Sequence, residues 1–280
     1  MLMTQTLDKL EALGLFGMVL GLREQLESSQ YLSLSFDERL GLLVDRETET
    51  RDSRRLALRL KAAKLRQEAT VEDLDFRAPR GLDRSVVLSL AQAGWVAAHH
   101  NLLISGPTGA GKSFLACALT HAAIRRGHTA LYVRTPRLLA ELALSRGDGR
   151  YVRRLGQLAR IGLLVLDDFL LTPPSVIEAK DLLEVIDDRS QVRSTLVVSQ
   201  LPVEAWHPAL AGGDPTLADA ILDRLVQHAH RLPLTGASMR RRQPPPVGRK
   251  LGRPHDLTRE NVTRPREFAS RVMSPWARHG

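Results

Sequence analysis

The chain has 280 residues, 43% hydrophobic and only 4% aromatic, with a single cysteine, Cys117. That apolar content suits a packed core and argues against global disorder, and a lone cysteine excludes an internal disulfide, which fits a reducing cytosol. The formal charge of +9 is concentrated: residues 240–280 carry eleven Lys and Arg against three Asp and Glu, leaving residues 1–239 at +1, so the basic balance is weak evidence for nucleic-acid binding.

Residues 4 to about 70 read as helical, with no strand-like alternation. Leu7, Leu10 and Leu13 recur at helical spacing, Gly14 and Gly17 suggest a break, and a helical pattern resumes over 18–26. Asp8, Lys9, Glu11, Arg23 and Glu24 interrupt the apolar residues as no secretory core tolerates. Ser35 followed by Glu38 predicts a helix start, and a long charged helix is expected at roughly 45–66. On it Arg51, Arg55 and Arg59 share one face, with Arg54 nearby. They form either a solvated face paired with Glu47, Glu49 and Asp52 or a stripe for phosphate or a subunit. Residues 70–84, with Pro79 and Gly81, read as a linker.

From there the pattern alternates. Apolar runs at 101–105, 129–133, 161–166, 195–199 and, more weakly, 230–234 are separated by helix-length segments. They predict an α/β fold with a five-stranded, mostly parallel sheet covered on both faces. The longest apolar run, 161–171, is broken by Asp167 and Asp168 and is far short of a membrane span, so a soluble protein is expected. Beyond Met239, prolines and arginines dominate and no packed fold is expected.

The strongest chemical signal is Gly106, Pro107, Thr108, Gly109, Ala110, Gly111, Lys112 and Ser113, placed between a strand and a helix. This is a phosphate loop: backbone N–H groups converge on phosphates and the helix N-terminus adds its positive end. Lys112 is expected to reach the β- and γ-phosphates of ATP, and the Ser113 hydroxyl to ligate Mg2+. A strand ending in Asp167 and Asp168 follows about 55 residues later. Asp167 is expected to hold Mg2+ through water. Asp168, pointing elsewhere by strand alternation, is the candidate to orient or deprotonate the attacking water. The strand at 194–200 ends in Ser199 and Gln200: either they contact the γ-phosphate or the water, or they only form a strand-ending turn. The segment 214–226 reads as a capped amphipathic helix carrying Arg224. That arginine serves either in trans on a neighbouring subunit's ATP or in a local pair with Asp219 or Asp223. No zinc-type Cys/His spacing, nucleophile elbow or dinucleotide fingerprint occurs.

Together these motifs resemble those of the IstB-like ATPases, helper proteins of bacterial insertion sequences related to DnaC-type helicase loaders in the AAA+ class. The resemblance covers about 7–242. It is carried above all by Ser-Gln-Leu-Pro-Val-Glu-x-Trp-His at 199–207 and Gly-Asp-Pro-Thr-Leu-Ala-Asp-Ala-Ile-Leu-Asp-Arg-Leu at 213–225, with Asp-Phe-Arg-Ala-Pro-Arg-Gly-Leu-Asp-Arg at 75–84 in support. It implies a small all-helical N-terminal domain at 1–70 and an AAA+ ATPase domain at 71–240; the basic Pro- and Arg-rich tail at 241–280, read from composition, does not resemble the family's usual short end. It further implies that the segment from Phe76 through Arg80 to Arg84 wraps the adenine side, that Gln200 is sensor 1, and that Arg224 is an arginine finger. The implied assembly is a cytoplasmic homo-oligomer on non-specifically bound duplex DNA, which recruits and regulates a transposase. Arg137, Arg146, Arg150, Arg153 and Arg154 would be its DNA-contacting set. The family usually has Trp after the paired carboxylates, where this chain has Phe169, and the segment 208–213 is slightly longer than usual. The alternatives are a DnaC-type helicase loader, a small-molecule P-loop kinase, or a copy that binds ATP without turning it over.

Overall fold

In the computed structural model the chain opens with two helices, α1 (Leu2–Ala12) and α2 (Phe16–Glu27), and a long third, α3 (Phe36–Ala63). The described residues are 2–239 except Gly213 and Ala237, so the expectation for the segment beyond residue 239 lies outside them. Ser35 starts α3 through a reciprocal box: its N–H donates to the Glu38 carboxylate at 2.7 Å, and its Oγ accepts from the Glu38 N–H at 3.3 Å. The helix therefore begins nine residues before the charged stretch at 45–66 that was expected to define it, because the box supplies the start and nothing before Ala63 breaks the pattern.

Glu47 of α3 joins the N-terminal helices. Its buried carboxylate accepts from the N–H groups of Gly17 (2.7 Å) and Met18 (3.1 Å), satisfying donors in the first turn of α2, and from Arg51 Nε at 2.6 Å. Glycine is needed at 17 because a Cβ there would lie 2.5 Å from both the Arg46 carbonyl oxygen and Glu47 Cα. Gly17→Ala is accordingly expected to push α2 off α3 at a cost of about 1–3 kcal/mol. The check is a lowered urea midpoint at unchanged m; an unchanged midpoint would mean the helices separate at no cost. Within the arginine stripe Arg51 pairs with Glu47 and Arg55 with Asp52 at 3.3 Å, while Glu49 pairs with Arg46 at 3.9 Å.

After a short turn at Val71–Asp73, α4 (Arg84–Ala91) and α5 (Gly94–Ala97) lead into alternating strands and helices. These are β1 (Asn101–Ser105), α6 (Lys112–Arg125), β2 (Ala130–Arg134), α7 (Thr135–Gly147), α8 (Tyr151–Arg160), β3 (Leu163–Phe169), α9 (Val176–Asp187), β4 (Ser194–Ser199), α10 (Trp206–Leu210), α11 (Pro215–Val226) and β5 (Ala229–Pro233). All strand pairs are parallel, in the order β2-β3-β4-β1-β5, as expected for strands joined by helical crossovers.

Strand side chains divide with period two. Leu102, Ile104, Leu163, Val165, Leu196 and Val198 enter the core with α6 and the end of α3. Leu103, Leu164, Leu166 and Val197 enter the second core with α7, α8, α9 and α11. Two buried polar side chains brace the second layer. Arg189 donates to the carbonyls of Leu158 (2.6 Å) and Ile161 (2.8 Å) at the end of α8, and burial pushes its pKa down to about 9. Asp181 of α9 is fully buried and pairs with Arg146 of α7. No described helix is long and apolar enough to cross a membrane.

Candidate functional site

The site is built at the carboxyl end of β1. Leu102 to Ile104 are fully buried between α-layers, which fixes where the chain emerges into Gly106. Gly106 has φ 142°, and a Cβ there would collide with the Leu234 carbonyl, so the loop must turn here without a side chain. The loop then curls back on itself: Lys112 Nζ donates to the carbonyls of Gly106 (2.6 Å) and Pro107 (2.9 Å), which sets the ammonium across the loop's opening segment. Lys112 also opens α6, so the helix's unpaired N–H groups and its positive end lie where the loop ends.

Asp167 meets this loop from β3. Its side chain is 1% exposed and its Oδ2 accepts from Ser113 Oγ at 2.9 Å, from the Tyr132 hydroxyl and from Arg66 Nη1 at 3.4 Å. Its Oδ1 accepts from the Asp168 N–H at 2.9 Å. A buried carboxylate against the hydroxyl that follows the loop lysine is a hard oxygen pair at a helix N-terminus, and these donors fit a hydrated divalent cation.

Asp168 departs from the alternation expected of it. The β3–β4 register slips between Leu166, opposite Val197, and Phe169, opposite Ser199, so β3 carries one extra residue. Asp168 takes φ 54°, a left-handed conformation that Asp tolerates better than most residues. The bulge lets Phe169 take the core position that strict alternation would give Asp168. Phe169 is fully buried, with its ring 4.9 Å from that of Trp206. Asp168 instead receives Arg134 Nε at 2.6 Å and lines a concavity with Thr135, Leu139, Leu171 and Pro174.

β4 lies directly beside β1, which brings its end to the phosphate loop. The two candidates there divide the roles. Ser199 is buried and makes the turn, donating to the Phe169 carbonyl at 2.8 Å and accepting from the Leu201 N–H at 3.1 Å. Gln200 accepts from Thr108 Oγ1 of the loop at 2.7 Å.

On the loop's other flank Arg80 is buried, donating to the Ala110 carbonyl at 3.3 Å and the Asp75 carbonyl at 3.0 Å. Burial lowers its pKa, and its Nε has no hydrogen-bond partner among the described residues. Phe76 packs on the first core beneath Arg84, whose guanidinium carbon is 5.9 Å from the ring centroid. The chain after β5 crosses the same loop: the Leu234 N–H donates to the Ser105 carbonyl (2.7 Å), the Thr235 N–H to the Arg80 carbonyl (2.9 Å), and the Met239 N–H to the Gly109 carbonyl (2.8 Å).

Arg224 sits elsewhere. Asp214 caps α11 as expected, accepting from the Thr216 N–H at 2.9 Å, and Arg224 lies in the last turn. The local pairing open to it is corrected: its partner is Asp187 of α9, while Asp219 meets His207 and Asp223 meets Gln227. The backbone of Arg224 is held by Asn101 Nδ2 at 3.0 Å, at the start of β1, whereas the phosphate loop leaves its end. Four strand steps, roughly 13 Å, separate the two. The basic set also divides. Arg146 is committed to buried Asp181 and stacks 4.1 Å over the Tyr151 ring, Arg150 pairs with Asp148, and Arg154 with Glu141 at 3.2 Å. Arg137 and Arg153 are exposed and have no ion pair among the described residues.

Arg66, Tyr132, Arg134 and the crossing residues Leu234, Thr235 and Met239 escaped the sequence reading. Tyr132 and Arg134 carried one usable signal, since they close the strand beside Asp167; Arg66 carried none.

With this geometry in view, the profile of the family described as IstB-like ATP binding protein matches residues 8–245. A Sinorhizobium fredii protein named as an insertion sequence ATP-binding protein is 51% identical over 243 residues, covering 87% of this chain and 98% of its own. One from Pseudomonas fluorescens is 51% identical over 203 residues, 72% of this chain and 88% of its own. One from Mycobacterium tuberculosis is 33% identical over 239 residues, 85% and 94%. In fold the chain resembles the crystal structure of DnaI, with a TM-score of 0.52 and 22% identity over 61% of this chain and 90% of that one.

Proposed function

The chain belongs to the IstB-like ATP binding protein family, and on that premise we propose that it is an ATP-hydrolysing AAA+ helper of an insertion sequence, which assembles on duplex DNA and acts with a transposase. The observation that carries the chemical part is the meeting of Lys112, Ser113 and buried Asp167 at the carboxyl ends of β1 and β3. In this reading the loop N–H groups and Lys112 hold the phosphates. To reach them, Lys112 Nζ exchanges its two loop carbonyls for phosphate oxygens. Ser113 and Asp167 would hold Mg2+, which when bound offsets phosphate charge. Asp168, released from Arg134, orients the attacking water, and Gln200, already tied to Thr108, stands beside it. Arg80, residues 234–236 and residues 238–239 wall the base side. Arg224, a strand's length from its own loop, acts on a neighbouring copy.

Residues 1–70 then form the helical module and 71–240 the motor, with Arg137 and Arg153 as the exposed phosphate-contacting pair on α7 and α8. Contacts to phosphate alone give DNA binding that ignores sequence and weakens with salt.

The test is ATP hydrolysis with and without duplex DNA. The wild type is expected to turn over ATP faster with DNA, and Lys112→Ala to lose ATP affinity by roughly 10–100-fold, as read by a fluorescent analogue. Near-normal binding in Lys112→Ala would remove the phosphate-loop assignment. Turnover that needs a small-molecule acceptor and ignores DNA would instead identify a kinase.

A further inference from the structure

One member of the Asp167 cluster comes from outside the nucleotide-binding motifs. Arg66 lies 101 residues before Asp167, just past α3, where Lys64 takes φ 52° and turns the chain back towards the sheet. Oδ2 of Asp167 faces three donors, Ser113, Tyr132 and Arg66. A carboxylate oxygen offers about two lone-pair sites, so one of the three is held weakly. Arg66 is that one: its contact is the longest, 3.4 Å, and its side chain is 44% exposed, whereas Tyr132 is buried.

We propose that Arg66 is a positioning residue of the cation site, resting on the nucleotide reading above: it neutralises Asp167 until a divalent cation arrives with the nucleotide, and yields to it. A guanidinium and a hydrated divalent cation both seek the same buried oxygen, and the only exposed member of the cluster can leave without opening the core.

One measurement on the intact chain tests this: the affinity for a fluorescent ATP analogue in Mg2+ and in EDTA. Arg66→Met removes the competitor in Mg2+ and leaves Asp167 unneutralised in EDTA, so the ratio of the two affinities is expected to widen about tenfold. Arg66→Gln, which keeps a polar side chain, should behave alike, and Arg66→Lys, which keeps the charge, should stay near the wild type. An unchanged ratio in Arg66→Met or Arg66→Gln with otherwise normal nucleotide binding overturns the proposal alone. A wild type that binds no ATP in Mg2+ overturns the nucleotide reading and this proposal together.

Discussion

Arg224→Ala is expected to bind ATP normally yet turn it over about 10³-fold more slowly, the lower end of what a finger arginine contributes to phosphoryl transfer. The reasoning is geometric. Asn101 anchors the backbone of Arg224 at the start of β1, and the phosphate loop leaves the other end, so the guanidinium does not serve its own site. Arg224 pairs with Asp187 of the same protomer, so in the proposed in-trans role that pair would open to engage a neighbour's nucleotide. The decisive form of the experiment mixes two inactive variants. Lys112→Ala subunits lack a working loop but keep Arg224; Arg224→Ala subunits have the reverse defect. Mixed assemblies place an intact arginine against an intact loop at some interfaces, and turnover should partly return. A wild-type rate in Arg224→Ala, or no recovery on mixing, would reduce Arg224 to the α9–α11 salt bridge.

Asp168→Asn is expected to keep ATP affinity and lose about 10²–10⁴-fold in turnover, the range for a positioned general base. Asparagine suits the test because it tolerates the left-handed backbone that Asp168 occupies at φ 54°. The strain is local to the end of β3: Leu170 also takes φ 54°, a conformation that costs a branched side chain more, and strained backbone concentrates at functional sites. The structure holds the Asp168 carboxylate on Arg134, turned towards the concavity at α7 and α9. Catalysis in this reading requires it to leave Arg134, so single-turnover hydrolysis is the measurement that separates the roles. Undiminished hydrolysis in Asp168→Asn would leave Asp168 as the partner of Arg134 and no more.

Much of this molecule was legible residue by residue. All five strands fall within two or three residues of the runs that announced them. β1, β3 and β4 do so because strands buried in a parallel sheet are continuously apolar, whereas the edge strand β5 exposes His230 and Arg231 and left only a weak signal. The Ser35 cap and the Asp214 cap were readable because capping chemistry spans three residues. The strand, loop and helix that carry Gly106 to Ser113 were readable because glycines set the path of a loop locally. What sequence alone determined, then, is every feature whose cause lies within one turn or one strand.

Tertiary structure decided the pairings. The strand order puts β4 between β3 and β1, and only that order carries Gln200 to Thr108. The bulge that sends Phe169 inward and Asp168 to Arg134 follows from packing around Trp206, not from any preference of the pair Asp-Asp. Arginines show the limit most clearly. With dozens of charged side chains and no local rule to match them, nothing along the chain assigns Arg146 to Asp181, Arg224 to Asp187 or Arg66 to Asp167. Those partners lie 35, 37 and 101 residues apart, and only the folding of helices onto the sheet brings each guanidinium to its carboxylate.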